Sequence, residues 1–329
     1  MGTNKPLAKK TDVLAFIIKN RVMFILVTIC IATALIQPIF FKPQNIINIL
    51  RQISASAVLG VGFTLILGSG NIDLSVGTQI GMMGVIMAMA SKIEGMPFIA
   101  IIGLGVLMGV VCGSLNAIII NTFHLPPFIV TLATMSIYKG ICYITSNTTP
   151  VSGIAKYIIN VGQGYFLKVP ITVWIMLASA LVIYFVINKT LFGRHAIAMG
   201  GNGEAARVSG INIKVIRIGI YIVMGLCSFI AALIMTGRAS SAQPIAGQGM
   251  EMDAIAAVVI GGTPMNGGDA KVGGTLLGCI IVGVINNGLN LLNVDSNFQL
   301  IVKGLLILFA IILDAESAKF FSKRASHNQ

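Results

Sequence analysis

The sequence predicts an all-α membrane protein, a polytopic bundle of about ten transmembrane helices. Three observations lead there. Hydrophobic residues make up 56% of the 329 and charged residues 10%, and the mean hydropathy is +0.93, far from the composition of a soluble domain. The apolar residues gather into runs close to the ~20 that one helix needs to cross a hydrocarbon core ~30 Å thick. The basic residues gather between those runs and at the chain ends. The net charge of +12 therefore reads as the orientation bias of a membrane protein, with lipid as the surrounding medium and no nucleic acid as partner.

Taken in order, the expected spans are 22–41, 52–69, 76–90, 97–120, 127–145, 170–188, 216–236, 252–262, 272–292 and 298–313. The first follows Lys5, Lys9, Lys10, Lys19 and Arg21, and no small-residue cleavage site comes after it, so it reads as a retained helix and not a signal peptide. The eighth is too short to cross unless residues 242–251 or 263–266 extend it. An even number of spans puts both termini on one side. With the N-terminus inside, the inner connections and tails hold most of the Lys and Arg, including Lys189, Arg194, Arg207, Lys214, Arg217 and Lys271. The outer connections hold only Lys42, Arg51, Lys92, Lys156, Lys168 and Arg238, and the asymmetry favours cytoplasmic termini. The chain then divides into a cytoplasmic tail at 1–21, a transmembrane domain at 22–314 with a cytoplasmic loop at 189–215, and a second tail at 315–329. The longest outer connection, 146–169, is expected to be a loop over the outer face.

Within this frame one polar stretch stands apart, from Gly200 to Asn212. Asn202 is placed to cap a helix, Glu204 sits in its positive first turn, Ala205 and Ala206 favour helix, and Gly210 is suited to end it. A helix of about two turns is marginal alone in water because nucleation costs more than so few hydrogen bonds return. It calls for a partner, to which it would offer its small alanine face.

Glycine is abundant, at 37 residues, and Gly77 with Gly81, Gly105 with Gly109 and Gly113, and Gly274 with Gly278 are spaced by four. That spacing lets helix backbones approach closely in lipid. A weak internal repeat relates residues 73–81 to 269–278, the pattern of duplicated transporter halves with interrupted helices. The Asp73 stretch is either a turn at the inner surface or a broken helix at depth.

Several chemistries find no support. Gly201, Gly203 and Ala206 imitate a dinucleotide fingerprint, but the required βαβ unit is missing between membrane spans. No phosphate-cradling GxxxxGK[ST] occurs, so no ATP hydrolysis is expected of the chain itself. His124, His195 and His327 are scattered, and the five cysteines lie inside apolar runs without a CxxC pair. No catalytic residue, metal or cofactor is expected. Charge inside the spans is the remaining clue: Lys139 and Lys303 lie within apolar runs, and Glu251 and Asp253 open another. An isolated charge at the bilayer centre costs about 2.5 to 3.5 kcal/mol on insertion scales, so such groups pair or face water. Lys303 is expected either to pair with Asp253 at an outer gate or to snorkel to the headgroups. Asp73, Ser75, Glu251, Asp253 and Lys303 are the candidate gate or pathway residues.

The stretches Asn202 to Asn212, Ile72 to Gly77, Ser241 to Pro244 with Met252 to Thr263, and Asn286 to Leu292 resemble those of ABC sugar-importer permeases, within them the ribose-transport branch. The resemblance covers nearly all of 41–314; it departs at Met265 and Asn266, before the Gly267-Gly268 pair. It implies a homodimer in the cytoplasmic (inner) membrane around a central pathway, ATP-hydrolysing cassette subunits beneath it and an extracytoplasmic sugar-binding protein outside. It also implies that Asn202, Gly203, Glu204, Ala205, Ala206, Arg207, Ser209 and Gly210 form the helix that couples to the ATPase. Ribose or a related sugar would be carried; autoinducer-2, galactose, xylose, allose or a nucleoside are open alternatives. From the residues alone, an ion-coupled secondary sugar transporter or a membrane scaffold that moves no solute also fits.

Overall fold

The computed structural model describes residues 21–295 and 297–305, together with 308 and 312. The expected tails lie outside the described residues apart from Arg21, as does part of the tenth span. Twelve helices follow one another: α1 (Arg21–Ile36), α2 (Pro43–Gly68), α3 (Val76–Ala90), α4 (Phe98–Phe123), α5 (Pro127–Ser146), α6 (Lys156–Gln163), α7 (Ile171–Lys189), α8 (Leu191–Gly201), α9 (Gly203–Val208), α10 (Ile213–Ala239), α11 (Met250–Ile260) and α12 (Val272–Leu291). Residues 297–305 are helical as well. Of the twelve, α2, α4, α5, α7, α10 and α12 are long and apolar enough to cross a membrane, while α1 and α3 are shorter apolar helices.

Proline sets many of the starts. Pro43 and Pro127 occupy first-turn positions, where the missing N–H costs nothing, and Pro97, Pro126 and Pro170 precede α4, α5 and α7. The expected first span ends early, at Ile36, because Pro38 interrupts it and opens a 3-10 turn at Pro38–Phe41. The second begins earlier than its apolar run, since α2 includes the polar turns around Gln44, Asn48 and Arg51.

At the centre stands α2, buried nearly throughout from Ile53 to Gly68. It packs against α10, α12, α7 and α11. Glycines decide how close the helices come. Along α4, Gly109 faces Gly225 and Gly113 faces Tyr221 of α10, and a methyl group at either would overlap the facing backbone. Gly278 of α12 meets Ala257 of α11 in the same manner. On the outside, α4, α5 and α7 expose rows of apolar side chains such as Leu107, Ile118, Ile144, Leu181 and Phe185, which suits a lipid surround.

The bundle has two distinguishable ends. At one, called here the loop end, α2 and α4 finish and α8 and α9 lie. There Gly268 N donates to Gly68 O (2.9 Å), and Arg217 donates to Asn71 Oδ1 (3.2 Å) and Asn121 Oδ1 (2.6 Å). At the other, the hairpin end, Val151–Ser152 pairs antiparallel with Ser241–Ala242, and Tyr165–Phe166 with Val169–Pro170. The connection 146–169, expected as loop, carries α6 there. It is an amphipathic helix that buries Ile158 and Gly162 against the end of α10.

Two crossings are interrupted. α2 ends at Gly68, residues 69–75 continue without helix, and α3 then runs to the hairpin end, where Ser91 Oγ accepts from Ala155 N. In the opposite sense, α10 ends at Ala239, residues 243–249 turn back into the bundle, and α11 runs to the loop end. At 15 and 11 residues, α3 and α11 are about 22 and 16 Å long, short of a ~30 Å core. The two helix starts meet inside: Gly77 lies against Gly247 O and the Glu251 carboxylate, and Gly81 against Pro244 O. The Asp73 stretch is thus a broken crossing at depth. The eighth expected span is α11 alone, preceded by non-helical backbone. The sequence repeat matched the starts of α3 and α12; in the structure the start of α3 lies against that of α11, which runs in the opposite sense.

Candidate functional site

At the loop end, Thr190 Oγ1 accepts from Gly193 N (3.1 Å) to cap α8, and Asn202 Oδ1 accepts from Ala205 N (2.9 Å) to cap α9. The second helix is six residues long and ends at Ser209, whose Oγ donates to Ala205 O (2.8 Å). Gly210 then takes a positive φ of 85°, a conformation that glycine adopts without steric cost. Glu204 and Arg207 form an ion pair along the exposed surface. The hydrogen bond and charge of Arg207 hold the Glu204 carboxyl below its ordinary pKa, and Glu204 raises that of Arg207. Ala206 is buried under the helix, whereas Gly203, Ala205 and Ser209 are exposed and Val208 is 76% exposed. The apolar face offered outward is therefore Ala205 with Val208, and not both alanines. Behind α9 an open cleft of about 680 Å³ is lined by Asn71, Asn121, His124, Arg207, Lys214 and Arg217.

At mid-depth lie the starts of the two short helices. Asp73 is fully buried; its Oδ1 accepts from Ser75 N (2.9 Å) and Ser75 Oγ, and Asn116 Nδ2 approaches Oδ2 (3.4 Å). Ser75 Oγ in turn accepts from Asn116 (3.0 Å) and Gln79 (2.8 Å). Tyr221 OH donates to Ile72 O (2.8 Å) and secures the stretch to α10. Among the described residues no Lys, Arg or His lies within ion-pair distance of Asp73. In the facing crossing, Glu251 and Asp253 occupy the first turn of α11, where the helix dipole favours a carboxylate. Glu251 is buried, and its Oε2 has no hydrogen-bond partner among the described residues. Asp253 Oδ2 accepts from Lys303 Nζ at 2.8 Å, the pair anticipated from the sequence. A cavity of about 180 Å³ opens beside that pair.

As site residues, Asn116, Gln79, Gln52 and Arg217 escaped the reading of the sequence, which weighed mainly charges inside the spans. Amides inside apolar runs carry the same signal, because a polar side chain at depth needs a partner. Lys139 lies with its Nζ 5.6 Å from the Tyr143 ring centroid and lines a small pocket with Gly77, Thr78, Pro244 and Gln248, beside the starts of the two short helices.

A mainly helical bundle with two interrupted crossings of opposite sense, whose short helices start beside each other inside it and carry Asp73, Glu251 and Asp253 near those starts, is the architecture of a membrane transport protein. A family model described as the permease component of the branched-chain amino acid transport system matches residues 45–311, and the chain belongs to this permease family. It is 40% identical over 303 residues to the ribose import permease protein of Haemophilus influenzae, covering 91% of this chain and 94% of the relative. It is 41% identical over 300 residues to that of Bacillus subtilis, covering 90% and 91%. The D-allose transport system permease protein of Escherichia coli is 36% identical over 298 residues, covering 90% and 91%. No solved structure matches the chain.

Proposed function

We propose that the chain is the transmembrane permease subunit of an ATP-driven importer of ribose or a closely related monosaccharide. The observation that carries this reading is α9. A helix of six residues, capped at both ends and exposing Ala205 and Val208, is too short to persist by itself and is suited to insertion into a partner. The partner is a cassette ATPase, because the chain carries no phosphate-binding loop of its own. The family's descriptive name refers to branched-chain amino acids, but relatives near 40% identity over almost the whole chain are named ribose permeases, which supports ribose over the other sugars.

In the mechanism, two copies of the chain flank a pathway in the cytoplasmic membrane, with both termini and the loop end inside. ATP binding draws the two ATPases together and shifts α9. That motion passes through α8 and the Arg217–Asn71–Asn121 contacts to the ends of α2, α4 and α10. The interrupted crossings then change which side the pathway faces, and sugar released by an extracytoplasmic binding protein at the hairpin end moves through.

A second reading is supported by Asp73, a buried acid without a basic partner among the described residues, as ion-coupled secondary transporters use. The two are separated in vesicles that hold the chain with its cassette ATPase and its binding protein. Ribose uptake that requires ATP and survives an ionophore supports the importer. Uptake that ignores ATP and collapses with the ion gradient overturns it.

A further inference from the structure

We propose that the cavity beside the Asp253–Lys303 pair is a contact site for one monosaccharide on its way through the protein, a proposal that rests on the importer reading. The cavity of about 180 Å³ lies among α2, α10, α11, α12 and the helical residues 297–305. A cavity of this size has room for several waters or for one small polar solute. Its polar lining is Gln52 and Ser56, one turn apart on α2, Arg238 on the last turn of α10, Asp253, Asn286 and Lys303.

The hydrogen-bonding state of that lining points to the ligand. Most polar side chains elsewhere in the bundle are paired internally, as Asn45 with Asn287 or Thr64 with Thr275. Here the side chains of Gln52, Ser56, Arg238 and Asn286 make no hydrogen bond among the described residues, and Asn286 Oδ1 is buried without a partner among them. Asp253 engages Lys303 through Oδ2 and leaves Oδ1 available. Amide, carboxylate and guanidinium groups each present two polar atoms in one plane, a spacing that matches neighbouring hydroxyls, and every hydroxyl both donates and accepts. One carboxylate set against two cations, one of them already paired, disfavours an isolated metal cation as the occupant. Apolar solutes would leave the amides unsatisfied, so a neutral polyol fits best. Gln52, near the start of α2, and Arg238, at the end of α10, both lie toward the hairpin end, where delivered sugar would arrive.

The test uses the complete transporter in vesicles, with binding protein, and reads ribose imported per ATP hydrolysed. Asn286→Leu and Gln52→Leu replace each amide by an apolar group of similar size. Each is expected to lower ribose per ATP at least tenfold while the complex keeps its ATPase and hydrolyses ATP within twofold of wild type. Should a leucine variant lose its ATPase, Asn286→Ala, which adds no bulk, is read on the same scale. Unchanged ribose per ATP in assembled variants means that the cavity holds water only and overturns the proposal. A wild-type complex that hydrolyses ATP but moves no sugar overturns the importer reading itself, a distinct result.

Discussion

The two interrupted crossings share a plan and differ in finish. In the first, residues 69–75 are buried apart from Gly70 and the half-exposed Ile72, and the Asp73 carboxylate is held by Ser75 and Asn116. In the second, Ile245 is 63% exposed, Gln248 is exposed, Glu251 Oε2 is unpartnered among the described residues, and Asp253 reaches across to Lys303 beside a cavity. Non-helical backbone at membrane depth is tolerated where protein covers it or where it lines a water-filled space. The first crossing uses the former solution; the second borders the cavity beside Asp253. On this contrast we propose that the Asp73 side is chiefly structural and that the Asp253 side faces solute.

Substitutions at matched positions break or sharpen this contrast. The largest effect is expected at Gly77 in the first crossing, where any side chain overlaps Glu251 and the Gly247 carbonyl. Gly77→Leu should leave no folded protein extractable from membranes. Gly249 in the second has open space around it and a φ of 83°, so Gly249→Ala should cost about 1 to 2 kcal/mol of backbone strain and still give folded protein. Next is Asp73→Ala, which leaves the Ser75 N–H and Oγ–H without their acceptor. Buried donors lost in this manner cost about 1 to 3 kcal/mol each, so thermal melting in detergent should fall steeply. Asp253→Ala should lower the melt less than Asp73→Ala and act mainly on uptake, because the Lys303 ammonium it leaves unpaired is part-exposed beside a cavity; equal melts for the two variants would erase the distinction. At the loop end, Ala205→Arg should remove ATPase co-purification while the chain's own melt is unchanged. The smallest effect belongs to Asn202→Ala, which loses the α9 cap. That change should cost about 1 kcal/mol of helix stability and weaken ATPase binding several-fold in a titration.

How far this was legible in the sequence follows from what each feature depends on. Local chemistry was readable: Asn202 caps where an Asn before Gly-Glu-Ala-Ala should, and Gly210 takes the left-handed turn. Prolines and apolar runs located most helices, because each span satisfies its own backbone. The cost of charge in apolar runs left two readings of Lys303 open, pairing with Asp253 or reaching the headgroups, and the structure shows the pair. The inverted relation of α3 to α11 was not readable, because it rests on non-helical backbone held by distant partners such as Asn116 and Tyr221. The outward face of α9 was half misjudged, as Ala206 packs inward through contacts that no periodicity of six residues can assign. α6 was missed because its apolar face, Ile158 with Gly162, is short and flanked by turn residues.

The most direct test of the solute-facing crossing is a charge swap, with ATP-driven ribose uptake measured for Asp253→Lys, Lys303→Asp and the double variant, each checked for retained ATPase. The account predicts that either single swap lowers uptake at least tenfold and that the double variant recovers to within about threefold of wild type. Single swaps that transport normally, or a double variant that stays as low as the singles, would contradict it.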